Sequence, residues 1–389
     1  VRFSVFAAAL VAVATGFGGT MAVVAAAAQN LGVDQVGLGS WVWALCLGTG
    51  VSSIWLSVAH RMPIVTAWSL AGAVMIAGIP HGVTMAQAVP AFLFCGVLMA
   101  LSGLAPVLGA AVGRLPASLG AAMLAGLLLR FVLALLQAAQ IEPLMVLPLL
   151  LIYLVMRRVH AASAPLVLIA AGLPLASVLG HTLPPLEFGL AVPVWTSPVF
   201  DLGVLLGLGL PLFLVTMATQ QVPGAAVLRV FGYTPPVRST LLLTGGLTVL
   251  LAPFGGYAMN LSSFSAALCT GPDAHPDPER RWITGVVYGV LYLVLAVFGA
   301  GFTTMLTALP PVLVTTVAGA ALLGPMTNAM AAAVAVEKQR FAAVAAFGVT
   351  ASGVMAFGLG GAFWGLVAGV LVLGIDALPL RGRIRPERR

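Results

Sequence analysis

The residues able to do chemistry in this chain are mostly uncharged, and the informative ones cluster at two breaks in otherwise apolar sequence. Ala67-Trp68-Ser69-Leu70 follows the turn-prone run Met62-Pro63-Ile64-Val65-Thr66, and Ala258-Met259-Asn260-Leu261-Ser262-Ser263 follows Pro253-Phe254-Gly255-Gly256-Tyr257. A helix that starts inside a bilayer leaves its first backbone N–H groups without partners. Together with the positive end of the helix dipole, they form a site for an anion or another hydrogen-bond acceptor. Ser69 and Asn260 are suited both to capping such helices and to donating to a ligand. Trp68 and Tyr257 could supply an aromatic wall. The plainer reading makes Ser69, Ser262 and Ser263 caps and packing residues only. Against it, non-helical backbone at membrane depth normally lines a cavity.

Other polar residues stand singly. Arg130 lies in the middle of an apolar run, where a charge is costly and usually faces a cavity or a partner. It could contact a substrate carboxylate, pair structurally, or snorkel to an edge. Gln29, Thr219, Gln220 and Gln221 are candidate polar lining. For a coupled proton, His60, Asp201 and His275 are candidates by elimination, each with an interfacial structural role as the competing reading. Asp273, His275, Asp277 and Glu279 alternate as metal ligands can, but the three prolines of that loop favour a tight turn with local ion pairs. Cys46, Cys95 and Cys269 lack CxxC spacing and read as small buried hydrophobes. No metal and no cofactor is expected.

These residues need a membrane to position them. Of the 389 residues, 61% are hydrophobic and 7% charged, and mean hydropathy is +1.12, outside the range of soluble domains. The basic residues that raise the isoelectric point to about 10.0 are scattered at segment ends, as membrane orientation requires and nucleic-acid binding does not. Apolar runs give fourteen candidate spans: 5–29, 36–58, 66–79, 86–112, 117–138, 142–159, 164–181, 199–220, 236–254, 260–270, 281–305, 310–334, 339–358 and 360–378. The first reads as a retained membrane helix and not a cleaved signal. With this count, every one of the 17 Lys and Arg residues except Arg130 falls on one side. The other side carries Asp34, Glu142, Glu187 and Asp201, so the positive-inside rule places both termini in the cytoplasm. The two short segments are third and tenth, seven apart. Two seven-span halves must then have opposite topology, and paired interrupted helices in such halves point to a transporter binding site.

Several stretches resemble a known family. They are Arg61-Met62-Pro63-Ile64-Val65-Thr66-Ala67-Trp68-Ser69, Val222-Pro223-Gly224-Ala225-Ala226-Val227-Leu228-Arg229 with Gly232-Tyr233, and Phe254-Gly255-Gly256-Tyr257-Ala258-Met259-Asn260-Leu261. The most distinctive is Cys269-Thr270-Gly271-Pro272-Asp273-Ala274-His275-Pro276-Asp277-Pro278-Glu279-Arg280-Arg281. Over essentially the whole chain the sequence resembles the benzoate–proton symporter (BenE-type) family. That resemblance implies the all-α fold of the uracil–proton symporters. Its fourteen transmembrane segments form two inverted repeats, with segments 3 and 10 as half-helices preceded by short strands. It implies a core domain, 1–114 and 198–308, a gate domain, 115–197 and 309–378, and here a basic cytoplasmic tail, 379–389. Leu70-Ala71 stands where the family tends to have Thr-Pro, and Ser262-Ser263 where it tends to have small apolar residues. Nucleobase symporters of this fold hold substrate with carboxylates, which map near Thr219-Gln220 and at Met259. Their absence suits an anionic substrate, because a carboxylate would repel it.

The resulting expectation is a multi-pass protein of a bacterial inner membrane that takes up benzoate or a similar small aromatic carboxylate with protons. The expected substrate site is Ala67, Trp68, Ser69, Leu70, Thr219, Gln220, Tyr257, Ala258, Met259, Asn260, Ser262 and Arg130. A homodimer through the gate domain is an assembly this fold allows. An anion exchanger or channel-like protein, or a nucleobase transporter, are the alternatives. A membrane enzyme is least expected, since the chain has no GxSxG or HExxH motif and no paired membrane His.

Overall fold

The structure is a computed structural model that describes residues 3–79, 82–105, 116–160, 164–181, 189–272, 274–354, 356 and 361–378. Arg2, Arg114, Glu187, Asp273 and the basic tail therefore lie outside the described residues. In chain order the elements are α1 (Phe3–Asn30), α2 (Gln35–His60), β1 (Thr66–Trp68), α3 (Leu70–Ala77) and α4 (Met85–Leu104), then α5 (Ala117–Ile141), α6 (Pro143–His160) and α7 (Ala164–Val178). They continue with α8 (Leu202–Val230), α9 (Val237–Leu251), β2 (Met259–Leu261), α10 (Ser263–Thr270), α11 (Trp282–Ala308), α12 (Pro311–Ala333), α13 (Arg340–Ser352) and α14 (Gly361–Asp376). Among the described residues, eight helices are long and apolar enough to cross a membrane. This is a mostly helical, multi-pass membrane protein.

Local chemistry sets the helix ends. Asp34 caps α2 by accepting from the Gly37 N–H at 2.8 Å, and Arg61, in the left-handed region at φ 54°, ends it. Thr84 and Gln87 form a capping box at the start of α4. Gly353, at φ 65°, stops α13 at Ser352, well short of the expected limit at 358. The largest departure is α8, which runs on to Val230 where the sequence suggested an end near Gln220. Pro223 does not break it, because the turn before it, Met217–Gln221, is a π turn. The wider hydrogen-bond spacing of that turn changes which carbonyls are paired just ahead of the proline.

Helix packing relies on small residues, as expected where apolar burial from water is not the driving force. α2 packs along α11 and α4 along α9, while α5 packs along α12 and α13 lies against α5 and α14. A Cβ on Gly96 would sit 2.9 Å from the Gly245 carbonyl oxygen, and one on Gly245 2.7 Å from that of Gly96. Only glycine lets α4 and α9 approach this closely.

At the centre, β1 and β2 pair antiparallel, Thr66 opposite Leu261, Ala67 opposite Asn260 and Trp68 opposite Met259. Each strand leads into an eight-residue helix, α3 or α10, and the two helices run away from opposite ends of the ribbon.

Candidate substrate site

Backbone pairing extends past both strands. The Ser69 N–H donates to the Ala258 carbonyl at 3.1 Å, and the Ser262 N–H to that of Val65 at 3.0 Å. Each of these serines then caps a short helix. Ser69 Oγ accepts from the Gly72 N–H and Ser262 Oγ from the Ser265 N–H, both at 3.0 Å. Capping of α10 thus falls to Ser262, because Asn260 is a strand residue two positions earlier. Helix geometry leaves the Leu70 and Ala71 N–H groups of α3, and the corresponding pair on α10, without intrahelical acceptors.

The register sorts the expected site residues by face. Successive strand side chains alternate, so Ala67 and Asn260 share one face while Thr66, Trp68, Met259 and Leu261 share the other. Ala67 is half-buried, whereas Thr66 and Trp68 are buried. Asn260 is fully buried; its Nδ2 donates to the Ala258 carbonyl at 2.9 Å, and among the described residues its Oδ1 has no partner. Ala258 itself has a positive φ of 39°, a backbone conformation that non-glycine residues seldom adopt.

Trp68 and Tyr257 do not form one wall. Trp68 stands edge-on to Phe17, with centroids 6.4 Å apart, and to Tyr292 at 5.8 Å. Tyr257 belongs to a separate cluster with Trp41 and Phe92, at 5.6 and 5.8 Å.

α8 brings its own polar groups to the ribbon. Thr216 Oγ1 donates to Ser69 Oγ at 2.8 Å, and Gln221 Oε1 accepts from the Leu261 N–H at 3.0 Å. Thr219 and Gln220 are half-buried on the π turn between them, and the Thr219 hydroxyl bonds back to Val215 at 2.7 Å. It is therefore Gln221, and not Gln220, that reaches β2. On the other side Tyr288 of α11 donates to the Thr66 carbonyl at 3.0 Å and lies 3.3 Å from Ser265 Oγ. Thr216, Tyr288, Tyr292, Phe17 and Ser265 were not among the expected site residues. All are ordinary apolar-helix side chains by sequence, and only the long-range packing makes them neighbours of the ribbon.

Arg130 is placed elsewhere. Its Nη1 donates to the Gly78 carbonyl at 3.0 Å, just past the C-terminus of α3. Eight helical residues, about 12 Å, separate that end from Ser69. His275 is also remote from the ribbon; it and its neighbours form a tight turn closed by Arg281, which donates to the His275 carbonyl at 2.7 Å. Among the described residues no group of His, Cys, Asp and Glu could hold a metal.

A helical membrane protein built around two crossed strands and two short helices is a transporter architecture. The transmembrane domain of the cyanobacterial bicarbonate transporter BicA has the same fold, with a TM-score of 0.65 at 15% identity over 95% of this chain and 98% of that one. SLC26A9 matches with a TM-score of 0.63 at 14% identity over 95% of this chain and 65% of that one. The particular family follows from sequence: residues 1–375 match the benzoate membrane transport protein family, and the chain belongs to it. It is 36% identical to the inner membrane protein YdcO of Escherichia coli K12, over 93% of both chains. It is 33% identical to the benzoate membrane transport protein of Acinetobacter baylyi, over 94% of this chain and 93% of that one. The chain is a membrane transporter and not an enzyme.

Proposed function

We propose that this protein carries benzoate or a similar small aromatic carboxylate, with a proton, into a bacterial cell. The carboxylate sits at the N-termini of α3 and α10 beside the Ala67–Asn260 face of the ribbon. One observation carries this reading: two helix N-termini, each with N–H groups to spare, start from one strand pair among core helices that contain no Asp or Glu. An anion at a helix N-terminus gains about 0.3–1 kcal/mol, up to about 2 when partly buried. The name of the Acinetobacter relative supports the aromatic acid.

In this reading α1 to α14 are fourteen membrane segments in two inverted repeats, both termini are cytoplasmic, and segments 3 and 10 are the half-helices. The core (1–114 and 198–308) moves against the gate (115–197 and 309–378) to alternate access. Uptake of labelled benzoate into proteoliposomes, with and without an inward proton gradient, tests it. Gradient-driven accumulation is the expected result; no benzoate transport under either condition refutes it.

A second reading, anion exchange without protons, is favoured by the same lack of acidic residues in the core helices. Benzoate counterflow at equal pH on both sides, with no response to a gradient, would select it.

A further inference from the structure

The C-terminal ends of the two short helices are held by arginines in different ways. At α10, Arg281 is 7% exposed and donates to the carbonyls of His275 at 2.7 Å, Thr270 at 3.1 Å and Pro276 at 3.4 Å. All three acceptors lie within eleven residues of it along the chain, so this guanidinium is a local brace. At α3 the arginine is Arg130, which comes from α5 and is exposed. Among the described residues its one hydrogen bond goes to the Gly78 carbonyl. The end of α3 does not depend on that bond, since Asn30 Nδ2 already donates to the Ile76 and Ile79 carbonyls at 3.1 and 2.8 Å.

A guanidinium offers five N–H donors and cannot shed its charge. Among the described residues no Asp or Glu pairs with Arg130. With one hydrogen bond among the described residues, this mid-span guanidinium has donors left for a further acceptor. Arg130 lines a cavity of about 40 Å³ with Gly78, Leu208, Thr350 and Gly353. Thr350 is 2% exposed, and among the described residues its hydroxyl has no partner. A space of this size admits a water or two and no aromatic acid. It is a narrow seam between α3 and α8 on one wall and α5, α13 and α14 on the other.

We propose that Arg130 and Thr350 form a carboxylate capture site at this seam. When the walls separate, Arg130 releases the Gly78 carbonyl and takes the incoming carboxylate through its fork, with the Thr350 hydroxyl donating alongside. The anion then passes along α3 to Ser69. This inference rests on the proposed carrier function and adds a second, transient station to it.

The test is sided transport of labelled benzoate in right-side-out and inside-out vesicles carrying wild type, Arg130→Gln, Arg130→Lys or Thr350→Val. Arg130→Gln is expected to raise KM at the face where α3 ends by about tenfold or more, as loss of a charge-assisted hydrogen bond implies, and to leave KM at the other face unchanged. Arg130→Lys keeps the charge without the fork and should lie between; it carries the test if Arg130→Gln fails to insert. Thr350→Val should raise KM at the same face by a smaller factor. Equal KM changes at both faces would make Arg130 a structural residue, and no change at either would remove it from the substrate path; each result overturns the proposal. Wild-type vesicles that carry no benzoate from either face would refute the carrier function itself, and this inference with it.

Discussion

Ser69→Ala is the most direct probe of where the substrate sits, because the contacts of Ser69 separate its structural role from its binding role. Its Oγ accepts from the Gly72 N–H at 3.0 Å and from Thr216 Oγ1 at 2.8 Å, which leaves its own proton free to donate. Losing the cap costs about 1 kcal/mol of stability. Thr216 is not stranded by the change. It can turn its hydroxyl to the Leu212 carbonyl one turn back, as Thr219 does to Val215 at 2.7 Å and Thr244 to Thr240 at 2.8 Å. The fold should therefore survive with a small loss. Binding should suffer more, since a hydrogen bond to a charged group contributes about 1.5–3 kcal/mol, or about 10- to 150-fold in Kd. Thr216→Val leaves the Ser69 hydroxyl in place and removes only a group that orients it, so its effect should stay below about tenfold. Equilibrium binding of labelled benzoate to purified protein, with a thermal unfolding scan beside it, measures both quantities. Ser69→Ala protein that melts near wild type and binds benzoate equally well would show that the carboxylate is not at the N-terminus of α3.

Three further outcomes are expected. Asn260→Asp puts a carboxylate of the same shape on the Ala67 face, and two like charges about 4 Å apart repel by about 4 kcal/mol at an effective dielectric of about 20. Benzoate binding should be lost at pH 8 and recover as acid neutralises the new group; wild-type affinity at every pH would place the substrate elsewhere. A Cβ at Gly224 would meet Leu261 Cβ at 2.6 Å, so Gly224→Ala should force α8 off β2 and destabilise the protein by about 1–3 kcal/mol, read as a lowered midpoint of thermal unfolding. Single cysteines near Arg158 and Arg280 should label from the cytoplasm, and one at Val192 from the periplasm. The native Cys46, Cys95 and Cys269 are buried and should give little background; labelling of all three introduced positions from one side would contradict the proposed topology.

The two interruptions were legible because their causes are local. Pro63 comes two residues after the left-handed Arg61 that ends α2, Gly255 at φ 97° ends the helical turn through Phe254, and Ser69 and Ser262 restart a helix through their own side chains. The starts of α2 and α4 are set by equally local contacts, from Asp34 and from Thr84 with Gln87, although neither entered the expected segment limits. What failed to show was any feature whose partner lies far along the chain. A hydroxyl on an apolar helix usually bonds to the carbonyl four residues back, as in Thr15, Thr20 and Thr219. Nothing local distinguishes Thr216, which instead reaches Ser69 across 147 positions. The π turn at Met217–Gln221 hid the continuation of α8 for a related reason: the sequence shows a proline at 223 and not the altered hydrogen-bond spacing that accommodates it.

Arg130 shows how the same limit bears on function. Its cost in an apolar span is a property of the residue alone and can be read from sequence, which is why it stood out as a candidate. Its role depends on what its donors face, and that was fixed by the Gly78 carbonyl, 52 positions away. The comparison with Arg281 turns that contact into an argument. Both cations sit at the negative end of a short helix, where a positive charge is favourable. Only Arg281 has its acceptors within its own loop and so must move with the helix it caps. Arg130 reaches its acceptor from another helix, so any sliding of α3 past α5 has to break that bond. A charge released in this way, with an unpaired hydroxyl beside it, has to find another acceptor, and in the proposed cycle the carboxylate being carried is the one that arrives.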